Sequence, residues 1–328
     1  MSQQIPFPLI RSLVEIFYDF QDQRIITNNR INMNSKRNGI TEQELKDYGV
    51  LEIMTKAEQF EKDVKKQLER QIKQYDIYQK YLKNIHGIGP IISAGLLAYI
   101  GDINRFDNIS KLWQMAGFGM NTYCKKCKKF TYEEIEFQNR TGKKTKAKRM
   151  KPMDRCNMCK EKLDKLFKQE KKLEKELKTP KKSLRNYRQT KKERLEAEKD
   201  YDAGTSPIIQ KRQIGYMSNW NDKFKVLCWK IGQSMVKQKA SKAGYRRLYD
   251  QIKKKEREKN PKRIVVKGKV FFNDGHIHNR ALRKVVKIFL ANLWMTWREM
   301  EGLTVTKPYI ITKKDSPHNM IKPFVDKQ

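Results

Sequence analysis

Apolar residues recur at steps of three and four along much of this chain, the period of helices that bury one face. Ile10, Leu13, Ile16 and Phe17 share such a face, Ile25 and Ile31 continue it, and Gly39 and Gly49 punctuate a connector. Ile53, Ala57, Phe60, Val64, Leu68, Ile72 and Tyr75 predict a long amphipathic helix, packed or coiled-coil, whose outer face is Lys, Glu and Gln. Residues 91–100 and 109–116 read as short packed helices that end at Gly117-Phe118-Gly119. Beyond Tyr123 aliphatic residues thin out. Residues 160–200 then predict a charged helical hairpin, with Leu163, Leu166, Leu173 and Leu177 at heptad-like spacing and a break at Thr179-Pro180. Gly204-Thr205-Ser206-Pro207 marks a return to the helical core. Residues 216–255 predict helices, Asn260-Pro261 a break, and residues 264–272 a short β-hairpin or a loop. The run 281–300 carries Leu282, Val285, Val286, Phe289, Leu293, Trp297 and Met300, the strongest core helix of the chain.

The expected fold class is therefore mainly α. Its expected segments are N-terminal helices (1–83), a helix-hairpin-helix core (84–122), an inserted zinc ribbon with a little β structure (123–160), the charged hairpin (161–203), the returning core (204–303) and a C-terminal tail (304–328).

The helix-hairpin-helix expectation rests on His86-Gly87-Ile88-Gly89-Pro90. The glycines permit a tight turn, and Pro90 suits the first turn of the next helix. The open N–H groups there suit a phosphate oxygen and grip a nucleic-acid backbone without reading bases. An ordinary helix–turn–helix connection is the alternative reading of the same residues.

Charge favours the first reading. Lys and Arg number 73 against 37 Asp and Glu, a net charge of +36 that attracts polyanions, DNA foremost. A membrane surface fits less well, because acids interrupt the basic runs. No signal peptide is apparent, since Arg11, Glu15 and Asp19 break the stretch 9–20, and no segment matches a membrane span. The expected setting is cytoplasmic and nucleoid-associated, where the five cysteines are thiols or ligands before they are disulfides.

Four of those five lie in two Cys-x-x-Cys pairs, Cys124/Cys127 and Cys156/Cys159, a set that matches the tetrahedral preference of structural zinc. Cys228 stands alone in an apolar run and reads as a small buried hydrophobe. Between the pairs lie Arg140, Lys143, Lys144, Lys146, Lys148 and Arg149, which suit phosphate contacts at a ribbon tip or on a basic loop.

The order of motifs also resembles a known family. Residues 85–90, then Ala94-Gly95-Leu96-Leu97-Ala98-Tyr99-Ile100-Gly101-Asp102-Ile103-Asn104-Arg105-Phe106, then Met115-Ala116-Gly117, are similar to the C-terminal domain of insertion-sequence-110 family transposases. Residues 215–227 look like that family's serine-bearing turn, and residues 280–298 followed by Gly302 like its closing helix. The resemblance implies DNA transposition and a serine that attacks the phosphodiester. It places that serine at Ser218 and further phosphate contacts at Lys223 and Lys225. It also implies a guide RNA and a RuvC-like domain with acidic residues that hold Mg or Mn. Asp19, Asp22, Glu42 and Glu44 do not fall on alternating strands, so no carboxylate cluster is identified. A separate nuclease subunit or a second copy would then supply the metal chemistry. Ser218 also reads as a helix N-cap, and His276 and His278 as a pair on a strand or a turn. A non-catalytic zinc-ribbon, helix-hairpin-helix nucleic-acid binder is the alternative function.

Overall fold

The computed structural model describes residues 5–138, 141–176, 182–259, 264–266, 269–271, 274–307 and 321–326. Leu177, Thr179-Pro180, Arg140, Asn260-Pro261 and Phe272 lie outside the described residues. The chain divides into two compact units, one formed by Met1–Leu112 with Lys223–Gln328 and the other by Trp113–Asp222. Among the described residues no helix is long and apolar enough to cross a membrane.

The first unit is helical. Helix α1 (Phe7–Asn38) ends at Gly39, whose φ of 67° suits a residue without Cβ. Helix α2 (Glu42–Asp47) opens with a capping box between Thr41 and Glu44. Helix α3 (Val50–Ile72) folds back along α1, with Gln21 and Arg24 bonded to Glu61 and the Phe20 and Phe60 rings stacked 5.3 Å apart. The buried stripe of α1 runs Ile10, Val14, Phe17 and Ile31, while Ile16 and Ile25 face outward. One residue is about 100° of helix rotation, so Ile16 cannot share the centre of a face with Phe17. In α3 only Leu68 and Ile72 are buried.

Helix α3 stops short of the glycine turn. Tyr75, the last rung of its apolar stripe, leaves the helix to pack on Phe7 and donate its hydroxyl to the Ile5 carbonyl. A short helix α4 (Asp76–Lys80) and a 3-10 turn at Leu82–Asn84 lead into the glycines instead. Helix α5 (Pro90–Ile100) follows with proline in its first turn and is buried continuously from Ser93 to Ile100. Helix α6 (Ile109–Met115) carries the chain on into the second unit.

There β1 (Met120–Cys124), β2 (Tyr132–Gln138) and β3 (Lys144–Met150) precede α7 (Asn157–Glu176), α8 (Lys182–Asp202) and β4 (Thr205–Ile209). Strands β2 and β3 form an antiparallel hairpin, and β4 returns antiparallel to β1, with Met120 opposite Ile209 and Cys124 opposite Thr205. Residues 205–209 therefore stay with the second unit; the chain re-enters the first only at Lys223. Helices α7 and α8 pair as the charged hairpin. Glu170 lies buried in its seam, held by Arg194 at 2.6 Å, and Arg194 also covers the Phe167 ring.

Helices α9 (Asp222–Val236) and α10 (Gly244–Lys259), a small hairpin of β5 (Ile264–Val266) and β6 (Lys269–Phe271), and α11 (Asp274–Met300) complete the first unit. Helix α11 buries the stripe from Ala281 to Trp297. Trp294 and the buried Arg298 both donate to the Phe106 carbonyl, tying α11 to the loop after α5. Tyr245 joins a core network with the Tyr81 hydroxyl and Asn292. Residues 321–326 lie across it, with Phe324 edge-on to Tyr245.

Candidate metal centre and nucleic-acid interface

The first cysteine pair sits where β1 ends. The chain turns sharply through Lys125–Lys128, with Lys128 at φ 58° and the Cys124 amide bonded to the Lys129 carbonyl. That turn aims the Lys126 and Cys127 N–H groups at Cys124 Sγ, each at 3.4 Å. The second pair is not a mirror knuckle, as a ribbon would have. Cys156 immediately precedes α7 and Cys159 lies in its first turn.

All four Sγ atoms lie within 4.8 Å of one another, with Cys124–Cys159 at 3.6 Å and Cys127–Cys156 at 3.5 Å. A tetrahedral ion with bonds of about 2.3 Å sets sulfurs about 3.8 Å apart, so the donor set fits structural zinc. Burial opposes ionisation of Cys124, Cys127 and Cys159. It pushes the Cys127 thiol up to about 11 and raises Cys159 as well, while the Cys127 and Lys126 amides together with the Cys127 and Cys159 thiols outweigh it at Cys124 and bring that thiol down to about 7. Cys228 is fully buried elsewhere and its thiol is raised by burial alone.

The basic segment between the pairs is a strand, not a loop. Register sets Glu133 opposite Arg149, Glu134 opposite Lys148 and Glu136 opposite Lys146, so acids of β2 face bases of β3. Arg149 and Lys151 both pair with Glu133, Lys146 reaches Glu136 at 3.9 Å, and Lys148 lies 4.4 Å over the Tyr132 ring. Arg149 is thereby drawn into an ion pair with Glu133. Lys144 stands exposed opposite Gln138, and Lys143 is exposed beside it.

The serine-bearing turn docks on the free edge of β3. Met217 N–H donates to the Lys148 carbonyl at 2.7 Å, and Met150 N–H donates to Met217 at 3.1 Å. Asn219 is fixed on the other side, bonded to the buried Asn121 and to Gln210, which in turn receives the Gly119 amide. Between these anchors Ser218 is half-buried. It is not a helix cap, because α9 begins at Asp222 and Asn221 holds the preceding position. Glu134, Lys146, Ala147, Lys148, Gly215, Tyr216 and Met217 line a cleft of about 520 Å³ against this turn. The cleft is the element that sequence patterning missed, since it arises only when the turn pairs with β3.

In the first unit the glycine turn is largely engaged by its own protein. The His86 amide donates to Asp326 Oδ2 at 2.9 Å, and Gly244 N–H donates to the other oxygen of the same carboxylate at 2.8 Å. Gly87, at φ 89°, accepts from Ser234 and packs so closely on α9 that a Cβ would meet backbone at 3.2 Å. Ile88 is buried. Gly89 has an ordinary φ of −89° and space around it, so only Gly87 needs to be glycine here. Lys223 pairs with Glu15 at 2.9 Å, and Lys225 is half-buried. His276 and His278 belong to the first turns of α11, where residues two apart diverge around the helix. His276 is exposed, and His278 Nδ1 shares a hydrogen bond with the Tyr249 hydroxyl at 2.6 Å. Among the described residues the four cysteines are the one group placed to share a metal ion; no carboxylate cluster is.

Comparison with curated proteins and with solved structures gives no match. A family model does match, across α4, the glycine turn, α5, α6 and the start of β1. Residues 79–121 match the Transposase IS116/IS110/IS902 family, which bears out, over that segment, the resemblance carried by the glycine turn and the Gly-Asp-Ile motif.

Proposed function

We propose that this chain is a DNA-binding protein of transposition, and that the Trp113–Asp222 unit brings a phosphodiester to Ser218. What carries the reading is the pairing of the Met217 edge with β3, which sets the serine turn beside the cleft lysines Lys146 and Lys148. Two cations there would hold phosphate oxygens, and the buried Asn121–Asn219–Gln210 network would keep the hydroxyl's turn from drifting. In the proposed step the Ser218 Oγ–phosphorus bond forms as the bond to one deoxyribose oxygen breaks. The hydroxyl proton passes to a base, and the departing oxygen takes up a proton. Zinc, held by Cys124, Cys127, Cys156 and Cys159, would tie β1 to the start of α7 and so supply structure.

A metal-bearing nuclease subunit or second copy, and a guide RNA, are further partners that the family resemblance implies. A divalent Mg or Mn ion would belong to that partner's carboxylates. The second reading, a non-catalytic nucleic-acid binder, draws on the absence of a carboxylate cluster among the described residues. The two separate on one variant. With supercoiled or branched DNA and magnesium or manganese, Ser218→Ala should abolish strand cleavage and leave DNA binding intact. Unchanged cleavage by Ser218→Ala would end the nucleophile proposal.

A further inference from the structure

The turn that leads to Ser218 displays an isoleucine almost wholly in water. Ile214 is 96% exposed. It occupies the second position of a four-residue turn closed by Tyr216 N–H on the Gln213 carbonyl, with Gly215 following at φ 81°. Such corners favour Gly, Pro, Asn, Asp and Ser, so a bare β-branched side chain serves neither the turn nor the core. The tip is also firmly mounted. Tyr216 packs against the Phe130 and Tyr132 rings, and Met217 is bonded on both sides to β3.

Cations flank the cleft beside this apolar point, with one acid, Glu134, among them. Lys146 and Lys148 line the adjoining cleft, and Arg212, two residues earlier, is largely exposed while paired with Asp222. An apolar tip on a rigid turn amid cations matches how proteins part stacked bases: cations hold the backbone while the wedge enters a base step and kinks the duplex. We propose that Ile214 is such a wedge, inserted between adjacent base pairs of double-stranded DNA held along the Lys146–Lys148 cleft. Steps that unstack easily, pyrimidine followed by purine, are the expected entry points. The inference rests on the DNA-binding reading above and does not require Ser218 to be catalytic.

The test uses the full chain and duplexes that carry 2-aminopurine, whose fluorescence rises on unstacking, beside a TA step, with anisotropy of a second dye reporting binding. Wild type should bind and raise the 2-aminopurine signal. Ile214→Ser should bind within about tenfold of wild-type affinity, since cations carry most of it, yet lose most of the rise. Ile214→Leu, which keeps an apolar tip, should restore it. Wild-type binding without a rise, or an equal rise with Ile214→Ser, would overturn the wedge alone. No anisotropy change for any form would overturn the DNA-binding reading and the wedge with it.

Discussion

Lys287 shows how far a single residue can depart from what its type suggests. It sits on the core helix α11 beside Arg283, and burial, aided by that neighbouring charge, lowers its ammonium to about 8 from an ordinary 10.5. The sign follows from which state holds the proton. At neutral pH both folded and unfolded chains carry it, and the folded chain bears the cost of burying a charge. As pH rises from about 8 toward 10.5 the folded state gives the proton up while the unfolded state keeps it, so this group's contribution favours folding increasingly across that window. Lys287→Met should therefore raise stability at pH 7 and flatten the rise between pH 8 and 10. Denaturant unfolding at a series of pH values measures both effects. A variant less stable than wild type at pH 7 would show that the ammonium is stabilised rather than strained. Asp326 is the complementary case: a buried carboxylate whose two oxygens close the glycine turn and the start of α10, from a position that no helical period would flag.

At the scale of elements the cysteine cluster bears most on fold. Structural zinc sites contribute on the order of 10–16 kcal/mol of apparent binding energy near neutral pH. Removing the ion from Cys124, Cys127, Cys156 and Cys159 should release the β1 turn from the start of α7, while the helical first unit persists. Zinc analysis should give one ion per chain in wild type and a large loss in Cys156→Ala. Far-ultraviolet circular dichroism of that variant should keep most of its helix signal, and complete unfolding would contradict the separation of the units. Much of this level was legible in sequence. A period of three to four exposes α11, and paired Cys-x-x-Cys spacing exposes the four cysteines whose sulfurs lie close enough to share a metal ion. The rest depended on partners distant along the chain. Strand β3, Lys144-Thr145-Lys146-Ala147-Lys148-Arg149-Met150, looks like a solvated basic loop until β2 lays three glutamates against it. Glu170 reads as a surface residue until Arg194 arrives from the neighbouring helix. Ser218 sits where a cap was expected, but Met217 beside it bridges to β3 and the helix starts only at Asp222.

For the whole molecule the decisive property is charge. An excess of 36 positive charges should make the proposed DNA association steeply salt-dependent, with log K falling by roughly 0.9 per neutralised phosphate for each unit of log salt. Lys146→Ala with Lys148→Ala should weaken binding similarly on every sequence and reduce that slope by about 1.8. Titrations at several salt concentrations would reveal it, and an unchanged slope would remove these two lysines from the interface. The proposed function makes one stricter demand, that the molecule form a bond with its substrate. Full-length wild type, incubated with supercoiled and branched DNA and with magnesium or manganese, is denatured and resolved for protein that stays attached to DNA. A covalent adduct should map to Ser218 and vanish in Ser218→Ala. An adduct that survives in Ser218→Ala, or none in wild type on any of these substrates, would contradict it.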